Sequence, residues 1–249
     1  MQLKHVKSST LDKAKAPHRP VIIFDSGVGG INIYEKAAAT RPKLNYLVIA
    51  DQAFFPYGSK TTETLHNRLT QLVEQFSSLD PCACIIACNT ASTIALPLFR
   101  DVLSCPVVGT VPPIKPAAES SKSKSIGLLA TPATVQRTYI DELIQDHAED
   151  CQVHRIGSTQ LATLSEQKLS GQNIDPLLLK QELEAFINNP SIDTIALGCT
   201  HYHHLTEEIQ SLLPHCKIID CSDAIARQFH KVCTEAPKTQ FEHLFIQLT

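Results

Sequence analysis

Short runs of apolar residues recur along the chain and are separated by longer amphipathic stretches. The runs are rich in Val, Ile, Leu and Ala and do not alternate with polar residues. This is typical of strands that are buried on both faces of a parallel sheet covered by helices. The pattern predicts eight strands, at residues 21–25, 46–50, 83–88, 106–111, 125–130, 153–157, 194–198 and 217–220.

Most of the intervening stretches have the periodicity of amphipathic helices. Between residues 62 and 79, Leu65, Leu69 and Phe76 fall on one face, and Glu63 lies in the first turn, where a negative charge is favourable. Similar patterns predict helices over residues 134–147, 176–188, 202–213 and 222–233. Strands that alternate with helices at this spacing indicate doubly wound α/β layers.

A polar, proline-punctuated segment at residues 111–125 divides the predicted elements into two groups. Each group opens with a strand that ends in small hydroxyl-bearing residues, at 25–27 and at 131–134. Each later has a strand that ends in Cys followed by polar residues, at 88–90 and at 199–201. We therefore predict two similar lobes whose active edges match.

Composition and charge exclude several classes of protein. The 249 residues include no Trp, five Tyr and nine Phe, and the net charge is −3, which argues against a general nucleic-acid binder. The uncharged stretch 81–99 approaches membrane-spanning length, but Asn89 and Pro97 interrupt it. We predict a strand, a polar turn and a helix there, and no association with a membrane.

The N-terminal residues and the cysteines indicate the compartment. Residues 1–20 are polar and basic, lack the apolar segment of a signal peptide, and are predicted to form a flexible tail. Nine cysteines are an odd number in a chain too long to need disulfide bonds. We therefore expect reduced thiols and a cytoplasmic protein.

The residues with the clearest chemical potential follow the predicted strands, at the edge where parallel α/β sheets bind ligands. Cys88 and Cys199 each end an apolar strand and precede residues that can begin a helix, whose dipole favours a thiolate. His201 lies close to the second cysteine, where it can stabilise a thiolate or relay a proton. The other cysteines fit small buried apolar residues: Cys82, Cys84, Cys105, Cys151, Cys216, Cys221 and Cys233.

A glycine-rich segment, residues 25–30, follows the first strand. Its backbone N–H groups can approach an anion at a helix N-terminus, and a tight turn capped by Asp25 explains the same residues. Asn32 stands where a dinucleotide-binding motif has its third glycine, so no dinucleotide site is predicted.

A metal site is the alternative use of the Cys and His residues. Cys82, Cys84 and Cys88 alternate along a strand and do not form a Cys-x-x-Cys knuckle, although His203 and His204 add possible ligands. We expect no metal.

Four motifs occur together, each at a strand end: residues 24–30 (Phe-Asp-Ser-Gly-Val-Gly-Gly), 50–51 with 55–58 (Phe-Pro-Tyr-Gly), 88–92 (Cys-Asn-Thr-Ala-Ser) and 198–202 (Gly-Cys-Thr-His-Tyr). In this order they resemble the cofactor-independent glutamate racemases of bacteria, within the wider aspartate/glutamate racemase group. Relatives that act on aspartate or hydantoins usually lack Pro-Tyr-Gly and the Thr-His after the second cysteine. The resemblance therefore favours glutamate over aspartate.

The resemblance implies two flavodoxin-like, doubly wound parallel-sheet lobes related by a pseudo-twofold axis, with the active site in the cleft between them. It assigns residues 1–111 plus 222–249 to the first lobe and 112–221 to the second. It also implies a homodimer without a cofactor that interconverts L- and D-glutamate and supplies D-glutamate for peptidoglycan. Glu166 occupies the position of an acidic residue in the family.

The same resemblance assigns the site. The catalytic residues are expected to be Cys88, Cys199, Asp25 and His201. The substrate-binding residues are expected to be Asp25, Ser26, Pro56, Tyr57, Gly58, Cys88, Asn89, Thr90, Thr131, Thr134, Cys199, Thr200 and His201.

Two cysteines suit this reaction because inversion at the α-carbon removes a proton from one face and delivers one to the other. One base that returns the same proton tends to retain configuration, whereas two groups on opposite faces invert it. Two alternatives remain: an aspartate racemase-like enzyme of the same family, and a non-catalytic relative that binds amino acids.

Overall fold

The computed structural model describes residues 3–249, which divide into two compact units. The first unit joins the residues up to Thr110 with Ser222–Thr249, and the second is Val111–Cys221. The family resemblance predicts boundaries after residues 111 and 221, and that division stays a prediction.

Both units contain a parallel sheet. The strands are β1 (Lys4–Ser8), β2 (Val21–Asp25), β3 (Tyr46–Ala50), β4 (Ala83–Ile86), β5 (Val107–Gly109), β6 (Ser125–Ala130), β7 (Gln152–Gly157), β8 (Thr194–Leu197), β9 (Lys217–Ile219) and β10 (His243–Leu248). The first unit has the order β1-β10-β3-β2-β4-β5, and the second has β7-β6-β8-β9. Every pairing within these two sheets is parallel.

Helices follow most of the strands. They are α1 (Gly30–Thr40), α2 (Thr62–Ser78), α3 (Asn89–Val102), α4 (Ile114–Ser120), α5 (Pro132–Val135), α6 (Thr138–His147), α7 (Gln160–Leu169), α8 (Pro176–Glu182), α9 (Glu184–Ile187), α10 (Thr206–Leu212) and α11 (Ser222–Val232). Short 3₁₀ helices cover Gln52–Phe54, Tyr57–Ser59 and Thr200–Leu205. None of the helices formed by the described residues is long and apolar enough to cross a bilayer.

The two sheets share a strand order. Counted along the chain from β2, the first sheet contains the order second-first-third-fourth, and the second sheet repeats it when counted from β6. This is the start of the flavodoxin-like order. The predicted fold class of flavodoxin-like, doubly wound parallel sheets is therefore confirmed for each unit.

The apolar runs predict the central strands well because these strands are covered on both faces. All residues of β2, β3, β4, β6 and β8 are buried. On α2, Leu65, Leu69 and Phe76 are fully buried, as their spacing predicts, and Phe76 packs edge-on against Phe24 of β2 with ring centroids 5.3 Å apart. Thr61 caps α2 by accepting a hydrogen bond from the backbone N–H of Thr64.

Residues 1–20 are the main correction to the predicted organisation. The prediction of a flexible tail is wrong for Lys4–Ser8, which form the edge strand β1 and pair with β10. Polar residues suit this position because an edge strand is held by backbone hydrogen bonds and exposes most of its side chains. Residues 1 and 2, which the same prediction covers, lie outside the described residues. The strand β10 was not predicted.

Several element boundaries also differ. The strand predicted at 83–88 ends at Ile86, because Cys88 already caps α3. The helix predicted over 134–147 is divided into α5 and α6 at Arg137, whose backbone is extended. The helix predicted over 202–213 begins as a 3₁₀ helix and continues as α10, and the one over 176–188 is divided between α8 and α9.

Candidate active site

The glycine-rich segment places a buried carboxylate at the carboxyl end of β2. Asp25 is fully buried, and its Oδ1 accepts hydrogen bonds from the Gly27 N–H at 3.2 Å and the Ser26 hydroxyl at 3.3 Å. The segment then opens α1, as predicted. A Cβ on Gly30 would lie 3.0 Å from the Asp25 Cβ, so glycine permits the helix to begin this close to the carboxylate.

Cys88 lies at the end of the neighbouring strand and belongs to a short chain of polar groups. It occupies the N-cap position of α3, where the helix dipole favours negative charge, and is 6% exposed. Its thiol donates to the Ser26 hydroxyl across 3.8 Å, and that hydroxyl donates in turn to Asp25. The thiol of Cys88 is thereby connected to a buried carboxylate through one hydroxyl group.

The first turn of α3 holds two of the expected binding residues. Asn89 and Thr90 directly follow Cys88 and are 2% and 3% exposed. Both polar atoms of the Asn89 amide are buried and lack a hydrogen-bond partner in the structure. Burying an amide without a hydrogen-bond partner costs free energy, so these two atoms are suited to bind a polar ligand.

Tyr57 lies in a second polar cluster of this unit. Its hydroxyl donates to Asp51 Oδ2 at 2.6 Å, and Arg68 binds the same carboxylate through Nε at 2.9 Å and Nη2 at 2.6 Å. Burial, together with the neighbouring Asp51 carboxylate, raises the pKa of Tyr57 well above its ordinary value, so the hydroxyl stays protonated. This cluster fixes the segment that carries Pro56 and Gly58, so the Tyr57 side chain acts as an anchor.

The sequence identified Tyr57 but missed Arg68. The guanidinium lies 17 positions from Asp51, on α2, and no motif connects the two residues. The signal available in the sequence was an Arg on a helix whose opposite face is apolar, which is also the pattern of an ordinary solvated residue.

Cys199 occupies the corresponding place in the second unit. It follows β8, caps the 3₁₀ helix Thr200–Leu205 with an extended backbone and is 8% exposed. A Cβ on Gly198 would lie 2.9 Å from the Ala130 Cβ, so glycine lets the end of β8 approach the end of β6. The backbone N–H of Gly198 donates a hydrogen bond of 2.8 Å to the carbonyl oxygen of Leu129, which keeps the two strand ends close together.

His201 is held from two sides. Its Nε2 lies 3.0 Å from Glu166 Oε1 on α7, and its backbone carbonyl accepts a hydrogen bond of 2.7 Å from the Ser165 hydroxyl. The ring is almost fully buried, while Glu166 is partly exposed. The acidic residue that the resemblance placed in the family pattern is therefore the partner of this histidine.

Thr131 and Thr134 follow β6, the strand that corresponds to β2. Their hydroxyl oxygens are 3.0 Å apart, and both residues are buried. Thus the first sheet has a carboxylate at the end of β2, and the second sheet has a pair of hydroxyl groups after the corresponding strand, β6. Tyr202 fixes the surrounding loops, because its hydroxyl donates to the carbonyl oxygens of Ala130 and Ser158.

The residues considered as metal ligands do not come together. Cys84 is fully buried in the core of the first unit, and burial raises the pKa of its thiol. His203 Nδ1 lies 2.8 Å from Asp220 Oδ2 in the second unit. Across residues 3–249, no group of three or more His, Cys, Asp and Glu side chains is placed to hold a metal ion.

The structure therefore brings Asp25, Ser26 and Cys88 together in the first unit and His201 and Glu166 together in the second. Their assignment to a substrate site stays a prediction. Each sheet thus carries a buried thiol at an equivalent strand end, and a thiol can accept or donate a proton.

Three comparisons with known proteins bear on the chemistry. The chain is 47% identical over 219 residues to a glutamate racemase of Haemophilus influenzae (strain PittGG), covering 86% of this chain and 81% of the relative. It resembles the crystal structure of Escherichia coli glutamate racemase in complex with L-glutamate and the activator UDP-MurNAc-Ala, with a TM-score of 0.86, 37% identity and coverage of 92% of this chain and 89% of that one. It also resembles glutamate racemase from Francisella tularensis in complex with D-glutamate, with a TM-score of 0.76, 25% identity and coverage of 92% and 88%.

A comparison with family sequence profiles gives the family assignment. The sequence profile described as Asp/Glu/Hydantoin racemase matches residues 31–229, which is most of the chain. The matched range contains both strand-end cysteines, His201 and Glu166. The chain therefore belongs to the Asp/Glu/hydantoin racemase family and is an amino-acid racemase.

Proposed function

We propose that this racemase interconverts L- and D-glutamate and uses Cys88 and Cys199 as its two acid/base groups. The observation that carries the proposal is the equivalence of the two cysteines. Each follows the third strand of a second-first-third-fourth parallel sheet and caps a helix. A thiolate takes the α-proton on one face, while the other cysteine, as a thiol, donates a proton to the opposite face.

Each cysteine has its own supporting groups. In the first unit, Ser26 links the Cys88 thiol to Asp25, which provides a route for charge and protons between thiol and carboxylate. In the second unit, His201 lies two residues after Cys199 and is oriented by Glu166. We assign Asp25 and His201 as the groups that assist the two thiols. Glu166 holds the imidazole and stabilises its protonated form.

Glutamate is favoured as the substrate. The relatives reported above are named glutamate racemases, and one of them holds L-glutamate. The unpartnered amide of Asn89 can bind a carboxylate or an ammonium group. We propose that the other substrate contacts come from Ser26, Pro56, Tyr57, Gly58, Thr90, Thr131, Thr134 and Thr200.

The reaction makes strong electrostatic demands on these residues. The α-proton of a glutamate zwitterion is very weakly acidic, so a site without an electron-sink cofactor has to stabilise the developing carbanion through fixed dipoles and hydrogen bonds. Hydroxyl and amide groups held on strand ends and helix starts provide such dipoles with little reorganisation. We propose that no cofactor takes part.

The activator of a related racemase supports a cellular role for this enzyme. UDP-MurNAc-Ala, the activator bound to the Escherichia coli racemase, carries a sugar of peptidoglycan. This supports a role in supplying D-glutamate to the cell wall. We propose that the enzyme acts in the cytoplasm as a homodimer, with no nucleic-acid or membrane partner.

The test is racemisation by the purified chain after dialysis against EDTA and without pyridoxal phosphate. Circular dichroism should show each glutamate enantiomer converting to the racemate, and in D₂O the α-position should acquire deuterium. Aspartate as the preferred substrate would replace the proposal with an aspartate racemase. Binding of glutamate without α-deuteration would indicate a non-catalytic relative. Activity that returns only with zinc would overturn the cofactor-free mechanism.

A further inference from the structure

Each unit contains a side-chain contact behind its strand-end cysteine that the proposed reaction does not use. In both, the residue four positions after the cysteine bonds to the residue that directly follows the fourth strand of the second-first-third-fourth order. In the first unit these residues are Ser92 and Thr110, which follows β5. In the second unit they are His203 and Asp220, which follows β9. The same connection thus recurs at equivalent places of the two sheets, although different side chains make it.

In the first unit, the Ser92 hydroxyl takes the place of a hydrogen bond of the sheet. The strands β4 and β5 pair in parallel as far as Ile86 and Gly109. In a continuous ladder with this register, the Thr110 N–H would next bind the Ile86 carbonyl oxygen directly. Instead, the Ser92 hydroxyl accepts the Thr110 N–H at 2.9 Å and donates to the Ile86 carbonyl oxygen at 2.9 Å. A side chain of α3 is therefore inserted between the two strand ends.

This insertion holds the backbone on both sides of Ala87. The Ile86 carbonyl oxygen accepts a second hydroxyl group, that of Thr110, at 2.8 Å. The Ser92 N–H donates to the Cys88 carbonyl oxygen at 2.9 Å. Ser92 is 5% exposed and Thr110 is fully buried, so loss of the Ser92 hydroxyl would leave a buried N–H without its partner. The position of the Cys88 backbone therefore depends on Ser92.

The second unit makes the equivalent connection with an imidazole and a carboxylate. His203 Nδ1 lies 2.8 Å from Asp220 Oδ2, and the two side chains are 31% and 27% exposed. His203 belongs to the 3₁₀ helix that Cys199 caps. The Thr206 hydroxyl donates to the His203 carbonyl oxygen at 2.6 Å and joins this helix to α10. The sequence offered His203 as a possible metal ligand, and the structure instead uses it to tie the turn after Cys199 to the end of β9.

We propose that Ser92 and His203 are positioning residues for the two acid/base groups, Ser92 for Cys88 and His203 for Cys199. Each acts through the backbone that carries its own cysteine. Proton transfer between a sulfur and the α-carbon depends steeply on the placement of the sulfur, so a small displacement lowers the rate. The two contacts lie in different units, so each should affect one base only. This assignment rests on the roles proposed above for the two cysteines.

The two bases can be assayed separately with a glutamate analogue that carries chloride on Cβ. A thiolate takes the α-proton, the electron pair of the C–H bond forms a double bond to Cβ, and chloride leaves, so elimination needs one base. A Cys199→Ser background keeps Cys88 as the base, and a Cys88→Ser background keeps Cys199. Ser92→Ala and His203→Ala are introduced into each background, and kcat and KM for elimination are measured with both enantiomers.

Ser92→Ala should lower kcat about tenfold in the background that keeps Cys88 and leave it unchanged in the background that keeps Cys199. His203→Ala should do the reverse, with a smaller loss of about threefold, because its contact is partly exposed. Each variant is therefore the matched control for the other. A change in substrate binding would alter KM in both backgrounds, whereas a displaced base lowers kcat in one. Equal losses of kcat in both backgrounds, or no loss in either, would overturn the proposal.

Two further variants separate the contacts from the side chains that make them. His203→Asn keeps a nitrogen donor that can reach Asp220 and should restore most of the kcat that His203→Ala loses. Thr110→Val removes one of the two hydroxyl donors to Ile86 but keeps the N–H that Ser92 accepts, so its loss of kcat should be smaller than that of Ser92→Ala. No recovery in His203→Asn would overturn the assignment in the second unit.

Amide hydrogen exchange tests the first contact without reference to the reaction. The Thr110 N–H should exchange faster in Ser92→Ala than in the unsubstituted chain, because it loses its acceptor. Unchanged protection of this N–H would overturn the positioning role of Ser92. If the Cys199→Ser and Cys88→Ser backgrounds eliminate from neither enantiomer, the proposed function fails instead, and the exchange rate still decides whether Ser92 holds the strand end.

Discussion

Arg68→Met should destabilise the first unit because it leaves a buried carboxylate without its cationic partner. Asp51 is fully buried, and Arg68 binds it through two hydrogen bonds while its own side chain is 19% exposed. Removing one partner of a buried ion pair costs about 3–5 kcal/mol, and we expect about 3 kcal/mol because Arg68 is partly exposed. Methionine retains apolar contact with Phe54, over which the guanidinium stacks at 4.6 Å.

The size of the effect can be measured against a pair of the same length. Arg155 and Asp141 are also 2.6 Å apart, but their side chains are 32% and 60% exposed. Arg155→Met should therefore cost at most about 1 kcal/mol. For a unit of this size about 3 kcal/mol corresponds to a fall in melting temperature of about 6–12 °C, against less than about 4 °C for the control. Differential scanning calorimetry of both variants is the assay.

A double variant tests the cause of the loss. In Asp51→Asn with Arg68→Met, the amide oxygen can still accept the Tyr57 hydroxyl, and neither position carries a charge. We expect the double variant to melt above Arg68→Met alone. Equal losses in the buried and exposed single variants, or a double variant no more stable than Arg68→Met, would refute the argument from burial.

Three further predictions concern the two half-sites and the response to acid. With a glutamate analogue that carries chloride on Cβ, Cys199→Ser should still eliminate chloride from the D-enantiomer, and Cys88→Ser should still eliminate it from the L-enantiomer. Neither variant should racemise the analogue, because elimination needs only one base and inversion needs two. Loss of elimination from both enantiomers in both variants would contradict this prediction. Glu166→Gln should lower kcat in both directions by at least about tenfold with little change in KM, because an amide stabilises an imidazolium poorly, and an unchanged kcat would count against it. Burial acts to raise the pKa of Asp193, but hydrogen bonds from two hydroxyl and two backbone N–H groups outweigh it and lower that pKa. This stabilisation is complete above about pH 4 and is lost as the pH falls toward the folded-state pKa, so Asp193→Asn should flatten the acid limb of urea-measured stability.

The sequence predicts the parts of the fold in which burial determines residue type. The runs at β2, β3 and β6 match the predicted strands at both ends, because these strands are covered on both faces. The edge strand β1 escaped prediction because its residues, Lys4–Ser8, are mostly polar and exposed. The pattern of polar and apolar residues does not reveal a strand whose side chains are mostly exposed.

In the candidate site, too, some residues are visible in the sequence, whereas the contacts between them depend on the fold. Cys88 and Cys199 are visible in the sequence because they interrupt apolar runs at strand ends. His201 and Glu166 are 35 positions apart in the sequence and lie on a 3₁₀ helix and on α7. Their pairing therefore depends on how those two elements pack.

The placement of β10 has a consequence for synthesis on the ribosome. The second unit is one continuous segment and can fold while the remaining chain is still being made. The first unit cannot, because β10, which is translated after the whole of the second unit, lies between β1 and β3 in its sheet. In the described sheet β1 pairs with β10 alone, so β1 has no partner strand until β10, more than 200 residues later in the chain, has been translated. A ribosome stalled shortly before His243 would hold a nascent chain whose edge at β3 is open to pairing with another polypeptide.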